Sequence, residues 1–154
     1  MTTQRLDAAA GPTDTRPPFR FSAFLRVGFD ETDAQAVVYY GRYFPYFDRA
    51  RVEYLRHLAL LSLRDQGLEF VMRRAVCEYE APARFDDPLE VFIRTEAIGR
   101  SSVRYAFSVH HAESGLPLAR AEQTVVLIDV AGRRPTPVPD AYREVVERFE
   151  ETGR

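Results

Sequence analysis

The sequence is poor in several features that mark whole protein classes. Cys77 is its single cysteine, so no internal disulfide is possible and a reducing, cytoplasmic compartment is expected. Its neighbours Val76 and Glu78 supply no base, so Cys77 reads as a core residue rather than a nucleophile. No apolar run reaches the roughly twenty residues that a membrane-spanning helix needs. The opening residues MTTQRLDAAAGPTDTRPP lack the apolar centre of a secretory signal. Basic and acidic residues are interleaved, with a net charge of -2, and the concentrated basic stripe of a nucleic-acid binder is missing. His57, His110 and His111 share no ligand spacing with a cysteine or carboxylate pair. Neither a metal nor another cofactor is expected.

What is present suits one modest domain. The chain has 154 residues, 45% hydrophobic and 29% charged, close to the globular average. Residues 1–18 are rich in Thr, Ala, Pro and Asp, too polar to order themselves, and read as a mobile tail before a domain spanning 19–154. Phe19, Phe21, Ala23, Leu25 and Val27 alternate as in a half-covered strand. Phe44, Phe47, Arg51, Tyr54, Leu55, Leu58 and Leu61 then recur at helical spacing, which predicts a long central helix of roughly twenty residues to Leu63, closed by Gln66 and Gly67. Four strands are predicted near Leu68–Glu80, Leu89–Ala97, Ser102–His111 and Leu118–Asp129. A short amphipathic helix carries Tyr142, Val145, Val146 and Phe149. One strand, a helix, then consecutive strands with short connections predict an α+β fold: a curved, five-stranded antiparallel sheet about the helix, with a second subunit covering what remains apolar.

Between the first strand and the helix stands FDETDAQAVVYYGRYFPYFDRAR, with Asp30, Glu31 and Asp33 at the mouth of an apolar, aromatic segment. An Asp before a helix is by itself most often a cap or a turn residue. Asp30 and Glu31 read as a solvated turn. Asp48 reads as the ion-pair partner of Arg51, and Glu53 as solvent-facing or paired.

The residues Thr32, Asp33, Val37, Val38, Tyr39, Tyr40, Asp48 and Arg51, together with YEAPARFDD at 79–87, GRSSV at 99–103 and PTPVP at 135–139, resemble the hotdog-fold acyl-CoA thioesterases of the 4-hydroxybenzoyl-CoA thioesterase family. The nearest branch is the one associated with the Tol-Pal envelope system. The likeness runs from about Phe19 to Phe149. It implies a sheet wrapped round the helix, a homodimer or homotetramer in which two sheets become continuous, and an active site at the subunit boundary. It also places the family's catalytic carboxylate on Asp33 and the backbone N–H that polarises the thioester carbonyl on Tyr40.

The chemistry fits those residue types. Thiolates leave readily, so the reaction needs mainly an attacking oxygen and a place for negative charge on the carbonyl. An Asp side chain, ionised near neutral pH, can attack or can deprotonate water, and sequence leaves both roles open. Helix N-terminal amides lack intrahelical acceptors and stabilise an oxyanion, one such donor being worth about 3 kcal/mol of barrier. Arg100, Ser101 and Ser102 match a nucleotide-contacting region of the family and are candidates for coenzyme A phosphates; a solvated hairpin turn is the alternative. Tyr39, Tyr43 and Phe47 suit an aromatic or medium-length acyl group, or simply a core. Three positions depart from the family pattern: Ala36 where many relatives have Gly, Tyr40 where the Tol-Pal branch commonly has His, and Pro45, which cannot donate to the carbonyl of Gly41 and predicts a helix starting near Tyr43 or kinked there. The expectation is an acyl-CoA thioesterase, the carrier being coenzyme A or acyl carrier protein. The alternatives are a non-catalytic acyl-CoA-binding domain and, last, an enoyl-CoA hydratase, which would want a His beside the Asp.

Overall fold

The computed structural model describes residues 10–154. Its strands are β1 (Ala10–Pro12), β2 (Phe21–Arg26), β3 (Leu68–Tyr79), β4 (Pro88–Ile98), β5 (Ser102–His111) and β6 (Pro117–Asp129), and its α-helices are α1 (Tyr43–His57) and α2 (Asp140–Thr152). The strands form one antiparallel sheet in the order β1-β2-β4-β5-β6-β3.

Alternation decides which face is buried. Along β5, Val103, Tyr105, Phe107 and Val109 are buried, whereas Arg104 is exposed and Ala106 and Ser108 are partly so. The covered face receives α1 through one stripe, Tyr43, Tyr46, Phe47, Ala50 and Tyr54, at the three- and four-residue spacing of a helix face. Phe47 stacks at 4.8 Å on Phe107, and Tyr54 meets Phe21 edge-on at 5.7 Å. Helix α2 closes the far end, with Phe149 at 5.8 Å from Tyr54. Emptying one of these aromatic positions costs about 3–5 kcal/mol.

Three expectations need correction. The sheet has six strands, not five, because Ala10–Pro12 pairs with Phe21–Ala23. That strand lies in the segment expected to be a tail; residues 1–9 of that segment lie outside the described residues. The pairing is backbone to backbone, so polar composition hides it from a hydrophobic pattern.

The predicted helix is also too long. Helix α1 has 15 residues and stops at His57, and a separate 3-10 turn covers Leu61–Gln66. Leu60 N–H bonds Leu55 C=O at 2.8 Å and Ala59 N–H bonds Arg56 C=O at 3.1 Å. This is a Schellman termination, with Ala59 left-handed at φ 58° where glycine is usual. No glycine marks the stop, and the leucines beyond it continue the apolar pattern.

At its start the helical stretch behaves as Pro45 predicts. Tyr40–Arg42 form a 3-10 turn, Arg42 N–H bonding Tyr39 C=O at 2.8 Å, and α1 begins at Tyr43. No helix among the described residues is long and apolar enough to cross a membrane.

Candidate active site

The segment between β2 and α1 is a chain of small turns. A 3-10 turn, Phe29–Glu31, is capped by its own Glu31, whose Oε1 accepts the Gly28 N–H at 2.6 Å. The Glu31 carbonyl accepts the Tyr39 N–H at 2.9 Å, and Val38 N–H reaches the Ala83 carbonyl at 2.8 Å. Glu31 is therefore a half-buried organising residue rather than a solvated one. Asp30 remains exposed.

Between these anchors Thr32 and Val38 bridge as antiparallel partners and the chain reverses over Asp33–Ala36. Asp33 N–H donates to Val37 C=O at 2.9 Å, and Ala36 N–H to Asp33 C=O at 2.9 Å. The Asp33 Oδ1 accepts the Gln35 N–H at 2.8 Å, the self-capping typical of an Asx turn. Its second oxygen has no partner among the described residues. Ala36 closes the reversal at φ 61°, the left-handed value for which glycine is the least strained residue. The substitution of alanine for glycine thus leaves the backbone in a glycine-like course and stores strain there instead.

Asp33 and Tyr40 line one open cleft of about 330 Å³, walled by Val37, Val38, Tyr43 and Tyr79. The Tyr40 N–H has no acceptor among the described residues, while its carbonyl accepts the Tyr79 hydroxyl at 2.8 Å. Burial pushes the Tyr43 phenol up to about 12. Burial, and then its contact with Cys77, raises that of Tyr79. Both stay protonated near neutral pH. The Cys77 thiol is likewise pushed up by burial, which opposes a nucleophilic role.

The other sequence candidates divide. Tyr39 stands beside the cleft rather than in its lining, its ring 4.4 Å from that of Tyr40. Phe47 is core. Asp48 pairs with Arg51 at 2.8 Å, and Arg51 also donates to the buried Gln123 at 2.8 Å. Arg100, Ser101 and Ser102 do not line the Asp33 cleft. They form the β4–β5 reversal, where Ser101 C=O accepts from Leu127 N–H at 2.7 Å and Arg100 C=O from Val138 N–H at 2.8 Å. Tyr79 is the residue that sequence reasoning missed. It opens the YEAPAR stretch, and no sequence signal marked it, because its hydroxyl bonds a backbone carbonyl 39 residues away.

A larger cavity, about 550 Å³, lies against the outward Ala106 and Ser108. Its acids are matched by arginines, Glu122 with Arg74 at 2.8 Å, Glu78 with Arg120 at 2.9 Å and Glu96 with Arg104 at 3.1 Å. It offers no carboxylate free of a counter-charge. Among the described residues no group of three or more His, Cys, Asp or Glu side chains could hold a metal ion.

Comparison with known proteins agrees with this architecture. Residues 27–146 match the Thioesterase-like superfamily. The chain is 34% identical over 129 residues to the acyl-CoA thioester hydrolase YbgC of Escherichia coli O6:H1, covering 82% of this chain and 93% of that protein. A solved structure from Aquifex aeolicus, AQ1494, superposes with a TM-score of 0.76 at 33% identity, covering 82% of this chain and 98% of the other. The 1,4-dihydroxy-2-naphthoyl-CoA thioesterase Slr0204 of Synechocystis superposes with a TM-score of 0.77 at 21% identity, over 84% and 96% of the two chains, a likeness of fold. The chain belongs to the thioesterase-like superfamily and is a thioester hydrolase built on the hotdog fold.

Proposed function

We propose that the protein hydrolyses acyl-coenzyme A thioesters in the cleft between Asp33 and the first turn before α1. The carrying observation is that one cleft is lined both by Asp33, whose half-buried carboxylate has one oxygen unengaged, and by Tyr40, whose backbone N–H has no acceptor among the described residues. The thioester carbonyl oxygen accepts from the Tyr40 N–H, and charge gathering there is stabilised by that donor and by the aligned peptide dipoles behind it. Asp33 then acts in one of two ways. It adds to the carbonyl carbon, giving a mixed anhydride that water cleaves, or it takes a proton from the water that adds. In both, the C–S bond breaks and the thiolate of coenzyme A departs with the electron pair.

The acyl-CoA thioester hydrolase activity of the Escherichia coli relative supports the reading. So does Ala36. The alternative of binding without turnover draws on Ala36 in place of glycine and Tyr40 in place of histidine, yet the loop holds φ 61° and a backbone N–H donor does not depend on its side chain.

We further propose that the working unit is a homodimer, or a homotetramer of such dimers, joined through β3. This strand has 12 residues and stands at the edge of the sheet, with Met72, Val76 and Tyr79 exposed at 45%, 37% and 45%. A long, partly apolar edge is a template for another strand. Arg100 pairs with no acid among the described residues. With Ser101 and Ser102 it is assigned to coenzyme A phosphates across the protomer boundary.

The test is thiol release from a panel of acyl-CoA thioesters, run in parallel with acyl carrier protein thioesters to identify the carrier. Asp33→Asn, which preserves shape and removes charge, is expected to lose at least about 100-fold in kcat. Full activity in that variant would remove Asp33 from the chemistry.

A further inference from the structure

We infer that Tyr79 is a positioning residue for this hydrolysis: its hydroxyl fixes the turn that carries the oxyanion donor. The inference rests on the proposed roles of Asp33 and Tyr40. The Tyr79 O–H donates to the Tyr40 carbonyl at 2.8 Å across 39 residues of sequence, joining the last residue of β3 to the first residue of the helical stretch. A carbonyl can only accept, so the phenol must be protonated to make this bond. Burial and the adjacent Cys77 keep it so. Its ring is held as well, edge-on to Tyr43 at 5.3 Å and to Tyr40 at 6.4 Å.

That turn needs an external tie. Neither the 3-10 turn nor α1 has a side-chain cap at its N-terminus, and Pro45 withholds the N–H that would reach the Gly41 carbonyl. A first turn tied by few bonds lets its outward N–H groups wander, and an oxyanion donor is effective only when it is aimed beforehand. Tyr79 supplies the missing restraint from the sheet side. The Tyr40 carbonyl also belongs to the same peptide unit as the Gly41 N–H, so donation to its oxygen polarises that neighbouring donor. A Cβ at Gly41 would lie 2.9 Å from the Tyr39 ring, so a side chain there requires that ring to shift.

Tyr79→Phe keeps the ring and removes only the hydroxyl. With benzoyl-CoA and hexanoyl-CoA as probes, kcat is expected to fall about three- to tenfold, the worth of one hydrogen bond, with KM within about twofold and the melting temperature lowered by no more than roughly 5 °C. Backbone 15N order parameters at Tyr40 and Gly41 are expected to fall, a readout that needs no turnover. Unchanged kcat, a loss confined to KM, or unchanged order parameters at those amides would overturn the inference. Asp33→Asn in the same assay separates the two claims. If that variant is active, the reading of the site fails; if it is inactive while Tyr79→Phe equals the parent, only the role of Tyr79 fails.

Discussion

The Tyr54 hydroxyl donates to the Glu150 carboxylate at 2.6 Å, tying the middle of the fold to its last helix. Thr95 completes the knot, its N–H donating to the same oxygen at 2.9 Å and its hydroxyl meeting Tyr54 at 3.0 Å. Burial raises the Glu150 carboxyl above its ordinary value; the Tyr54 and Thr95 bonds, Arg94 and Arg20 oppose that shift without reversing it. A carboxyl whose folded pKa exceeds its unfolded value holds its proton more tightly in the native state. Its contribution is fully present below the unfolded value of about 4.3 and is lost as pH rises through the folded value. Glu150→Gln keeps an accepting oxygen and removes the titration. The melting temperature of the variant minus that of the parent is therefore expected to grow from pH 4 to pH 8, measured by thermal melts across buffers. A constant difference would mean that burial of the charge costs nothing.

Much of this architecture was legible in the sequence, and what was not has identifiable causes. Strand-like apolar segments located β2 to β6, with a clean alternation in β5, where one face is covered, and Asp33 stood out by its position before an aromatic run. The end of α1 was hidden because Ala59 performs glycine's task, and β1 because its pairing is made by backbone. Glu31 and Tyr79 were obscure for a different reason. Their partners, Gly28, Tyr39 and Tyr40, are backbone groups, and sequence pattern carries no trace of a side chain that serves the main chain.

The two left-handed alanines predict stabilising substitutions. Ala36 at φ 61° and Ala59 at φ 58° each carry the steric cost of a Cβ in that region, about 1–2 kcal/mol, partly offset by glycine's greater freedom in the unfolded chain. Ala36→Gly and Ala59→Gly are each expected to add about 0.5–1 kcal/mol in urea unfolding, additively because one closes the Asp33 turn and the other ends α1. A loss of stability in either would show that its φ is not strained.

Tyr105 and Tyr142 share a hydrogen bond of 3.1 Å between two buried hydroxyls, and burial is the leading cause of the raised pKa of each. Either Tyr→Phe change strands the other hydroxyl without water, at about 1–3 kcal/mol. The double change removes both polar groups together. It is expected to cost less than the sum of the singles by at least about 0.5 kcal/mol in a double-mutant cycle. Strict additivity would indicate that each hydroxyl finds a partner elsewhere.

The proposed β3 dimer can be broken without touching the cleft lining. An antiparallel copy centred on Val76 would set the two β3 edges side by side and bring the two Val76 side chains together at the two-fold axis. Val76 is 37% exposed in the single chain, and Val76→Lys leaves the monomer core intact while setting two ammonium groups against each other at the axis. Sedimentation equilibrium is expected to show the parent as a dimer or larger and the variant as a monomer. Thioesterase activity is expected to fall with assembly, because the site is proposed to draw residues across the boundary. A variant that sediments as the parent does would remove β3 from the interface, and a fully active monomer would show that one chain holds the complete site.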